Sequence, residues 1–451
     1  MGNKYVKLVC AILGIILLSY FQYQELKVYY YKNLPYVEVE RYKKSQDMIE
    51  GPTDISIDEL VASSHMEGTY SKDDLHALAS YENETSRVDK ISSSSVQLNL
   101  KAAASVLMDG DSERILYGEN ENQELAMAST TKIMTCIVAL ENGNLDDVVT
   151  VSKYASQMPD VQLNIAAGDQ YYLKDLLYSL MLESHNDSAV AIAEHIGGSV
   201  EGFAKMMNEK AKELGCEHTN FVTPNGLDAE GHYTTAKELG IIACYAIKNE
   251  KFIEITNTLS HEIYELKKNK LKVVTNKNRF LYLMDGAIGV KTGFTNNAGY
   301  CFVGALKRDG KTYVSVVLGS GWPPNKGYKW SDTTLLMNYG IDYFDKMLLI
   351  DQRVELPAVY IEEGIDSKTN IYTEGNMTVL VRKDEKVRAE YEVPKIMKAP
   401  IKEGQQIGYL NFYINDELYK SLPIYTESSI EKMDFSFCFD YVMTGFCWMK
   451  H

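Results

Sequence analysis

The sequence predicts an α+β fold: an antiparallel sheet interrupted by a large helical insertion, followed by a small all-β domain. Apolar runs of strand length lie on both sides of a long region, 172–250, in which apolar residues recur at three- and four-residue spacing. That spacing is typical of helices packed on a core. After residue 349 the pattern changes to short apolar runs separated by turn residues, which is typical of strands.

Composition and charge exclude some classes of protein. The chain has 451 residues, 45% of them hydrophobic, which is enough for a large core. Its formal net charge of -16 argues against a nucleic-acid partner, because phosphate binding requires a basic surface. The seven cysteines show no metal-ligand spacing, so we expect buried or lone thiols rather than disulfides or zinc ligands. A pairing of Cys438 with Cys447 stays open.

Residues 1–22 have the features of a membrane-targeting segment. Lys4 and Lys7 precede an apolar run, 8–21, that is shorter than the ~20 residues of an ideal spanning helix. No small-x-small cleavage site follows it, and the aromatic residues at its end suit a membrane interface. We predict an uncleaved anchor with the rest of the chain outside the cell membrane; a cleaved signal peptide is the alternative.

Three further boundaries follow from the pattern. Residues 23–95 are polar, acidic and without sustained periodicity, which predicts a flexible spacer. The main domain is expected over 96–346. Its first two strands lie around a turn at 109–111, and a later hairpin turns at 309–310. Between them, a helix opens at Ser129 and ends at the glycine stop signal, residue 143.

The C-terminal part of the chain predicts two elements. Short strands over 349–426 indicate a small all-β domain without catalytic residues. The tail, 427–451, is rich in aromatic residues, and we predict a membrane-associated amphipathic segment there. A final strand or a packed extension is the alternative, because aromatic residues in the tail also alternate.

Ser129 and Lys132 form the first candidate for chemistry, in the stretch MASTTKIMTC. Serine favours a helix start, but a lysine one turn later is disfavoured by the helix dipole, so this pair breaks a local rule. A serine hydroxyl needs a base within hydrogen-bond reach. Lys132 lies on the same helical face and becomes a base if burial or positive charge lowers its pKa. Ser-x-x-Lys alone is weak evidence.

Two further polar groups stand out. The first, Ser184 to Asp187, separates two apolar helical segments and reads as a helix–helix turn or a site wall; we favour a structural role for His185 over that of a base. The second, Lys291-Thr292-Gly293, lies on a predicted strand. It offers a cation, a hydroxyl and an open approach to the backbone, which suits a carboxylate ligand.

In this order, Ser-x-x-Lys, Ser-x-Asn and Lys-Thr-Gly are the signature of penicillin-binding proteins and class A β-lactamases. From about residue 98 to 425 the chain resembles the low-molecular-weight D-alanyl-D-alanine carboxypeptidases, a family of serine peptidases. The resemblance implies the penicillin-binding/β-lactamase-like transpeptidase fold followed by the small all-β domain. The longer stretches that carry it are MASTTKIMT, FVTPNGLDAEGHYTTAKELG, GVKTGFTNNAGY and IKEGQQIGYLNFYI.

The resemblance implies a role for each matching residue. The implied nucleophile, which is acylated, is Ser129, and the implied base is Lys132. Two further catalytic residues, Ser184 and Asn186, would assist proton transfer and hold the substrate amide. The implied substrate-binding residues face the terminal carboxylate of D-Ala-D-Ala or flank the oxyanion hole: Lys291, Thr292, Gly293 and Phe294. The oxyanion hole would consist of the backbone N–H groups of Ser129 and Phe294.

Two residues depart from the family pattern. His185 stands where relatives more often have glycine or another small residue, which narrows the cleft or adds a pH-dependent contact. Lys237 stands where relatives often have arginine, and lysine does not reproduce the fork geometry of a guanidinium.

The resemblance implies an extracytoplasmic enzyme that trims the terminal D-alanine from peptidoglycan pentapeptide stems and needs no metal or organic cofactor. β-Lactams would be covalent inhibitors. One rival is a class A-like β-lactamase, but no Glu-x-x-Leu-Asn stretch lies between Asn186 and Lys291 to deacylate the drug ester. The other rival is a catalytically silent cell-wall-binding protein, against which the intact signature residues argue.

Overall fold

The computed structural model describes residues 14–22, 24, 53–56 and 97–448. The chain divides into two compact units. One consists mainly of Asp89–Met347, and the other is built chiefly from Leu348–Thr378 and Asp384–His451.

A five-stranded antiparallel sheet forms the centre of the first unit. The strands are β2 (Ala104–Asp109), β3 (Ile115–Glu119), β8 (Ala287–Thr295), β9 (Gly299–Arg308) and β10 (Lys311–Leu318), and they lie in the order β3-β2-β10-β9-β8. β2 is buried at every position and β10 at nearly every position, because helices cover the sheet on both faces. This explains why these strands read as continuous apolar runs rather than as an alternation.

The helical insertion lies between β3 and β8, as the sequence predicts. Its helices are α1 (Lys132–Asn142), α2 (Leu173–Leu182), α3 (Asn186–Gly197), α4 (Val200–Glu213), α5 (Ala236–Ala246), α6 (Glu250–Asn257) and α7 (Phe280–Leu283). Two small two-stranded antiparallel sheets accompany them: β4 (Val148–Thr150) with β5 (Gln170–Tyr172), and β6 (Ser260–Glu265) with β7 (Lys270–Thr275). Helix α8 (Tyr328–Tyr343) follows β10 and packs against the sheet.

Helix α1 begins three residues later than the sequence predicts. Ser129 lies in a 3₁₀ turn, Ala128–Thr131, and the α-helix starts at Lys132. Neither start carries a side-chain cap, so the serine hydroxyl is not used as an N-cap. The C-terminal end of α1 agrees with the prediction, because Gly143 follows its last residue.

The second unit is a seven-stranded sheet in the order β1-β13-β15-β16-β12-β11-β14. Its strands are β1 (Thr53–Ile55), β11 (Phe344–Glu362), β12 (Lys368–Arg382), β13 (Val387–Glu392), β14 (Ile396–Lys398), β15 (Gln406–Ile414) and β16 (Glu417–Thr426). β1 comes from the stretch predicted as a spacer and pairs antiparallel with Ala389–Tyr391 at the sheet edge. For residues 53–55 the spacer prediction is therefore wrong, because the edge strand β13 offers them unpaired backbone groups.

The two predicted membrane segments are described only in part. Residues 14–22 are helical, and the rest of the predicted 1–22 anchor lies outside the described residues. The tail forms helix α9 (Phe435–Trp448) rather than a strand. Within the described ranges, every helix is too short or too polar to cross a membrane.

Candidate active site

The candidate nucleophile, Ser129, lies in the 3₁₀ turn before α1. Ala128, directly before it, has a positive φ of 49°. Strand β8 passes close to this turn: a Cβ at Gly293 would lie 3.0 Å from the backbone nitrogen of Ser129. A side chain at 293 would make this contact tighter than an ordinary van der Waals contact, so glycine suits the close approach of the β8 backbone to the nucleophile.

Lys132 is completely buried, and its side-chain nitrogen reaches three oxygen atoms. Nζ lies 2.9 Å from Oγ of Ser129, 2.9 Å from Oδ1 of Asn186 and 2.5 Å from the backbone carbonyl of Asn225. The Ser129 hydroxyl lies 3.4 Å from the same carbonyl. None of these three oxygen atoms carries a full negative charge, so they do not stabilise an ammonium group as a carboxylate would.

The electrostatic surroundings favour a neutral Lys132. Burial lowers its pKa well below the usual value, and the positive charge of Lys291 lowers it further. The carboxylate of Asp187 acts in the opposite direction. That carboxylate is occupied by backbone N–H groups, including those of Leu163 and Ile165.

A loop, 159–165, fixes the orientation of the Asn186 amide. Asn186 Nδ2 donates to the carbonyl of Pro159 at 3.1 Å, so the oxygen of the amide is the atom directed at Lys132. The backbone N–H of Asn186 donates to the carbonyl of Val161 at 2.7 Å. The loop therefore sets which end of the amide Lys132 meets.

The same loop is held from strand β7 as well. Lys272 Nζ donates to the carbonyl of Leu163 at 2.5 Å and to that of Asn164 at 2.8 Å. Asp187 holds the N–H groups of this segment, while Lys272 holds its carbonyl groups. Backbone donors and acceptors of one short loop are thus bound from two different elements.

Two more buried lysines, Lys291 on β8 and Lys329 on α8, are 2% and 4% exposed. Burial and then repulsion from Lys329 lower the pKa of Lys291 to about 7. Burial and then Lys326 lower the pKa of Lys329 to about 8. Lys291 Nζ donates to the carbonyl of Thr292 at 3.1 Å, and Lys329 Nζ lies 5.0 Å from the ring centre of Tyr300. Neither forms an ion pair with a carboxylate in the described part of the chain, an arrangement that favours an anionic ligand.

Comparisons with known proteins decide the family. A family model described as D-alanyl-D-alanine carboxypeptidase matches residues 90–321, and one described as the C-terminal domain of penicillin-binding protein 5 matches residues 344–432. The chain belongs to the D-alanyl-D-alanine carboxypeptidase family. This confirms the resemblance carried by the three signature motifs and favours neither of the two rival functions.

Individual relatives agree with this assignment. The D-alanyl-D-alanine carboxypeptidase DacF of Bacillus subtilis is 31% identical over 347 residues, which cover 75% of this chain and 88% of that protein. Penicillin binding protein 5 from Haemophilus influenzae covers 75% of this chain and 100% of its own, with a TM-score of 0.66 and 26% identity. The Streptomyces K15 DD-transpeptidase covers 55% of this chain and 100% of its own, with a TM-score of 0.52 and 33% identity. These neighbours confirm the predicted α+β fold.

The remaining predicted site residues of this D-alanyl-D-alanine carboxypeptidase have mixed surroundings. Ser184 has a positive φ of 70°, and its buried Oγ has no hydrogen-bond partner among the described residues. The structure thus brings Asn186, but not the Ser184 hydroxyl, into hydrogen-bond contact with Lys132. Thr292 is half-buried and Phe294 is 38% exposed.

His185 is fully engaged by other side chains. Nδ1 lies 2.8 Å from Oγ of Ser179, and Nε2 lies 3.3 Å from a carboxylate oxygen of Glu183. Burial lowers the pKa of His185, although nearby carboxylates oppose this shift. The described hydrogen bonds of this histidine include neither Ser129 nor Lys132, which favours the structural interpretation.

Two residues of the site were not identified by sequence reasoning. Asn225 contributes a backbone carbonyl, and no side-chain pattern reports such a role; Asn225-Gly226 signals only a turn. Lys329 lies on helix α8, whose sequence indicates only a helix packed on the core. It comes close to Lys291 through the fold and not through the sequence. Among the described residues, no group of three or more His, Cys, Asp or Glu side chains is placed to hold a metal ion.

Proposed function

We propose that this chain is a serine D-Ala-D-Ala carboxypeptidase that removes the terminal D-alanine from peptidoglycan pentapeptide stems through an ester on Ser129. The observation that carries the proposal is the set of contacts around Lys132. A neutral amine has two N–H donors and one lone pair. The two carbonyl-type oxygens, of Asn186 and Asn225, accept the two N–H groups, and the lone pair is left for the Ser129 hydroxyl.

Acylation follows from this arrangement. Lys132 takes the proton of the Ser129 hydroxyl while Oγ attacks the carbonyl carbon between the two D-alanines. The tetrahedral intermediate collapses by breaking the C–N bond, and the proton passes to the leaving amine of D-alanine. Water then attacks the ester with Lys132 as base, which releases the shortened stem and restores the hydroxyl.

The oxyanion hole is proposed at the backbone N–H groups of Ser129 and Phe294. Preorganised N–H donors stabilise the negative oxygen that develops in the tetrahedral intermediate. The close approach of Gly293 to the backbone nitrogen of Ser129 supports this placement, because it brings β8 and the 3₁₀ turn together. The unpartnered hydroxyl of Ser184 is available to assist proton transfer once substrate is bound.

The terminal carboxylate of the stem is assigned to Lys291, with the Thr292 hydroxyl as a second donor. The support is electrostatic: Lys291 and Lys329 are buried together without a counter-ion among the described residues. A carboxylate entering here pairs with buried cations and restores their charge balance. β-Lactams carry a carboxylate too, and we expect them to acylate Ser129 and leave slowly.

We also propose that the enzyme acts outside the cell membrane and is anchored to it by the N-terminal segment, with α9 as a second contact. Lys4 and Lys7 before an apolar run support the anchor. In the helical residues 14–22, Leu17 is 56% and Phe21 is 63% exposed, so this surface is available to lipid.

The decisive experiment measures D-alanine release from diacetyl-Lys-D-Ala-D-Ala by the full chain in detergent, with Ser129→Ala as the control. Release by the parent and none by the variant are expected. Penicillin should label the parent only, and peptide mapping should locate the adduct on Ser129. Absence of both release and labelling in the parent would overturn the proposal in favour of a silent wall-binding protein, and rapid penicillin turnover would favour a β-lactamase.

A further inference from the structure

His232 lies between α4 and α5, outside the three signature motifs, and is bonded through both ring nitrogens. Nδ1 accepts the backbone N–H of Val222 at 3.0 Å, and Nε2 lies 2.8 Å from Oγ1 of Thr131. Because Nδ1 faces an N–H donor, it is unprotonated and the ring proton is on Nε2, which donates to Thr131. Burial lowers the pKa of His232 to about 4, so this neutral form persists at neutral pH.

The Thr131 hydroxyl connects His232 to the backbone before the nucleophile. Oγ1 of Thr131 donates to the carbonyl of Ala128 at 2.8 Å while it accepts from His232. Ala128 has a positive φ, which is unfavourable for a residue with a Cβ, and the bond from Thr131 is one of the contacts that hold its carbonyl in place. The next residue along the chain is Ser129.

The second bond of His232 closes the loop that supplies the acceptor for Lys132. Val222 and His232 lie at the two ends of this loop, and the Asn225 carbonyl lies between them. Gly226 lies close to the nucleophile turn, because a Cβ there would lie 2.0 Å from the Ala128 carbonyl oxygen. The His232 ring therefore connects the 222–232 loop, whose Asn225 carbonyl contacts Lys132, to the turn that contains Ser129.

We propose that His232 is a positioning residue for acylation: through Thr131 it holds the backbone that presents Ser129, and through Val222 it holds the Asn225 carbonyl against Lys132. This inference rests on the proposed function, because it needs Ser129 to be the acylated residue. His232 touches neither substrate nor the reacting atoms, so it acts only through these two connections.

The test is the second-order rate of acylation of the full chain by a fluorescent penicillin. His232→Leu removes both connections, and Thr131→Val removes the one to Ala128 at nearly constant volume. Misplacing a reacting group by about 1 Å costs roughly 100-fold, so each variant should acylate at least about tenfold more slowly. His232→Gln keeps a donor and an acceptor and should recover to within about threefold of the parent.

Two readouts separate positioning from lost stability. Weakening the contact between Asn225 and Lys132 removes an acceptor for the charged lysine, so the acid limb of the rate profile should move to lower pH in His232→Leu. The double variant of His232→Leu and Thr131→Val should be slower than His232→Leu alone by less than about twofold, since both act along one chain of bonds. His218→Leu, which changes an exposed histidine, is the matched control and should keep the parent rate.

Each outcome decides something different. If the parent acylates at Ser129 and both Thr131→Val and His232→Leu react within twofold of it at every pH, the inference is wrong while the proposed function stands. Should His232→Leu fail to fold, Thr131→Val alone decides, because only a hydroxyl is exchanged. A parent that is never acylated overturns the proposed function and this inference together.

Discussion

Lys132 and Lys291 are both buried lysines of the candidate site, yet their partners differ in kind. Lys132 meets a hydroxyl and two neutral carbonyl-type oxygens, while among the described residues Lys291 donates to the neighbouring Thr292 carbonyl alone. Lys132 is therefore surrounded by groups that suit a neutral amine. Lys291 is left with donors for an anion. With the roles proposed above, the same residue type would act as a base on α1 and as an anion-binding group on β8, because the surroundings differ.

The largest effect on the rate of acylation is expected from replacing Lys132 on α1. Lys132→Met removes the base at similar volume, and acylation by penicillin should fall by at least about 1000-fold, within the range of general-base contributions. Retention of more than a tenth of the parent rate would show that another group accepts the serine proton, and the contrast between the two lysines would fail.

Loss of the Lys291 cation on β8 should have a smaller effect on activity, and this effect should depend on the substrate. Removing a hydrogen bond to a charged group costs about 1.5–3 kcal/mol, so Lys291→Met should lower kcat/KM for the peptide acid roughly 10- to 100-fold. For the same peptide with a C-terminal amide, parent and variant should differ little. Lys307→Met, an exposed change on β9, is the control. Equal losses for acid and amide would rule out carboxylate binding by Lys291.

The pH profile sharpens the same contrast. In the free enzyme the pKa of Lys291 is about 7, so the fraction that is charged, and with it kcat/KM for the acid, should decline as the pH rises through 7. Lys132 must be neutral to act as a base. The part of the kcat/KM profile that reports Lys132 therefore has the opposite sign, and activity rises with pH there. Lys291→Arg stays charged at every accessible pH and should lose the alkaline limb. An unchanged alkaline limb in that variant would assign it to another group.

The smallest effect is expected from the loop that orients Asn186. Lys272→Met frees the carbonyls of Leu163 and Asn164, while Asp187 still holds the loop from the other side. Acylation should therefore fall only about two- to fivefold, less than the roughly 100-fold cost of a 1 Å displacement of a reacting group. Lys270→Met, two residues earlier on the same strand, is exposed and should have no effect. Identical rates for the two variants would remove Lys272 from the site.

Periodicity and turn signals predict much of this fold, but not the irregular parts of the site. The α1 end at Gly143 and the hairpin at Asp309-Gly310 depend on local chemistry and agree with the structure. The 3₁₀ turn around Ser129 does not follow from propensity, because β8 and the Asn225 loop pack against it. The spacing of Ser129 and Lys132 predicts their contact, while the Asn225 carbonyl depends on residues that are far apart in sequence.

One prediction outside the site is wrong for a similar reason: part of the predicted spacer forms a strand. Edge strand β1 contains only three residues, too few for an alternation to stand out in a polar stretch. In the tail, the alternating aromatic residues left a final strand as the alternative to the predicted amphipathic segment, and the chain forms helix α9 there, while membrane association stays a prediction. Short segments whose structure depends on a distant partner are those that local pattern describes worst.

The glycines on both sides of the nucleophile turn restrict which substitutions this enzyme can accept. A Cβ at Gly226 would lie 2.0 Å from the Ala128 carbonyl oxygen, and one at Gly293 would lie 3.0 Å from the backbone nitrogen of Ser129. Any other residue adds a Cβ: at Gly226 the backbone of the nucleophile turn would have to move, and at Gly293 it would have to give by a few tenths of an ångström. We therefore expect tolerated substitutions near Ser129 at exposed side chains such as Phe294 rather than at these two glycines.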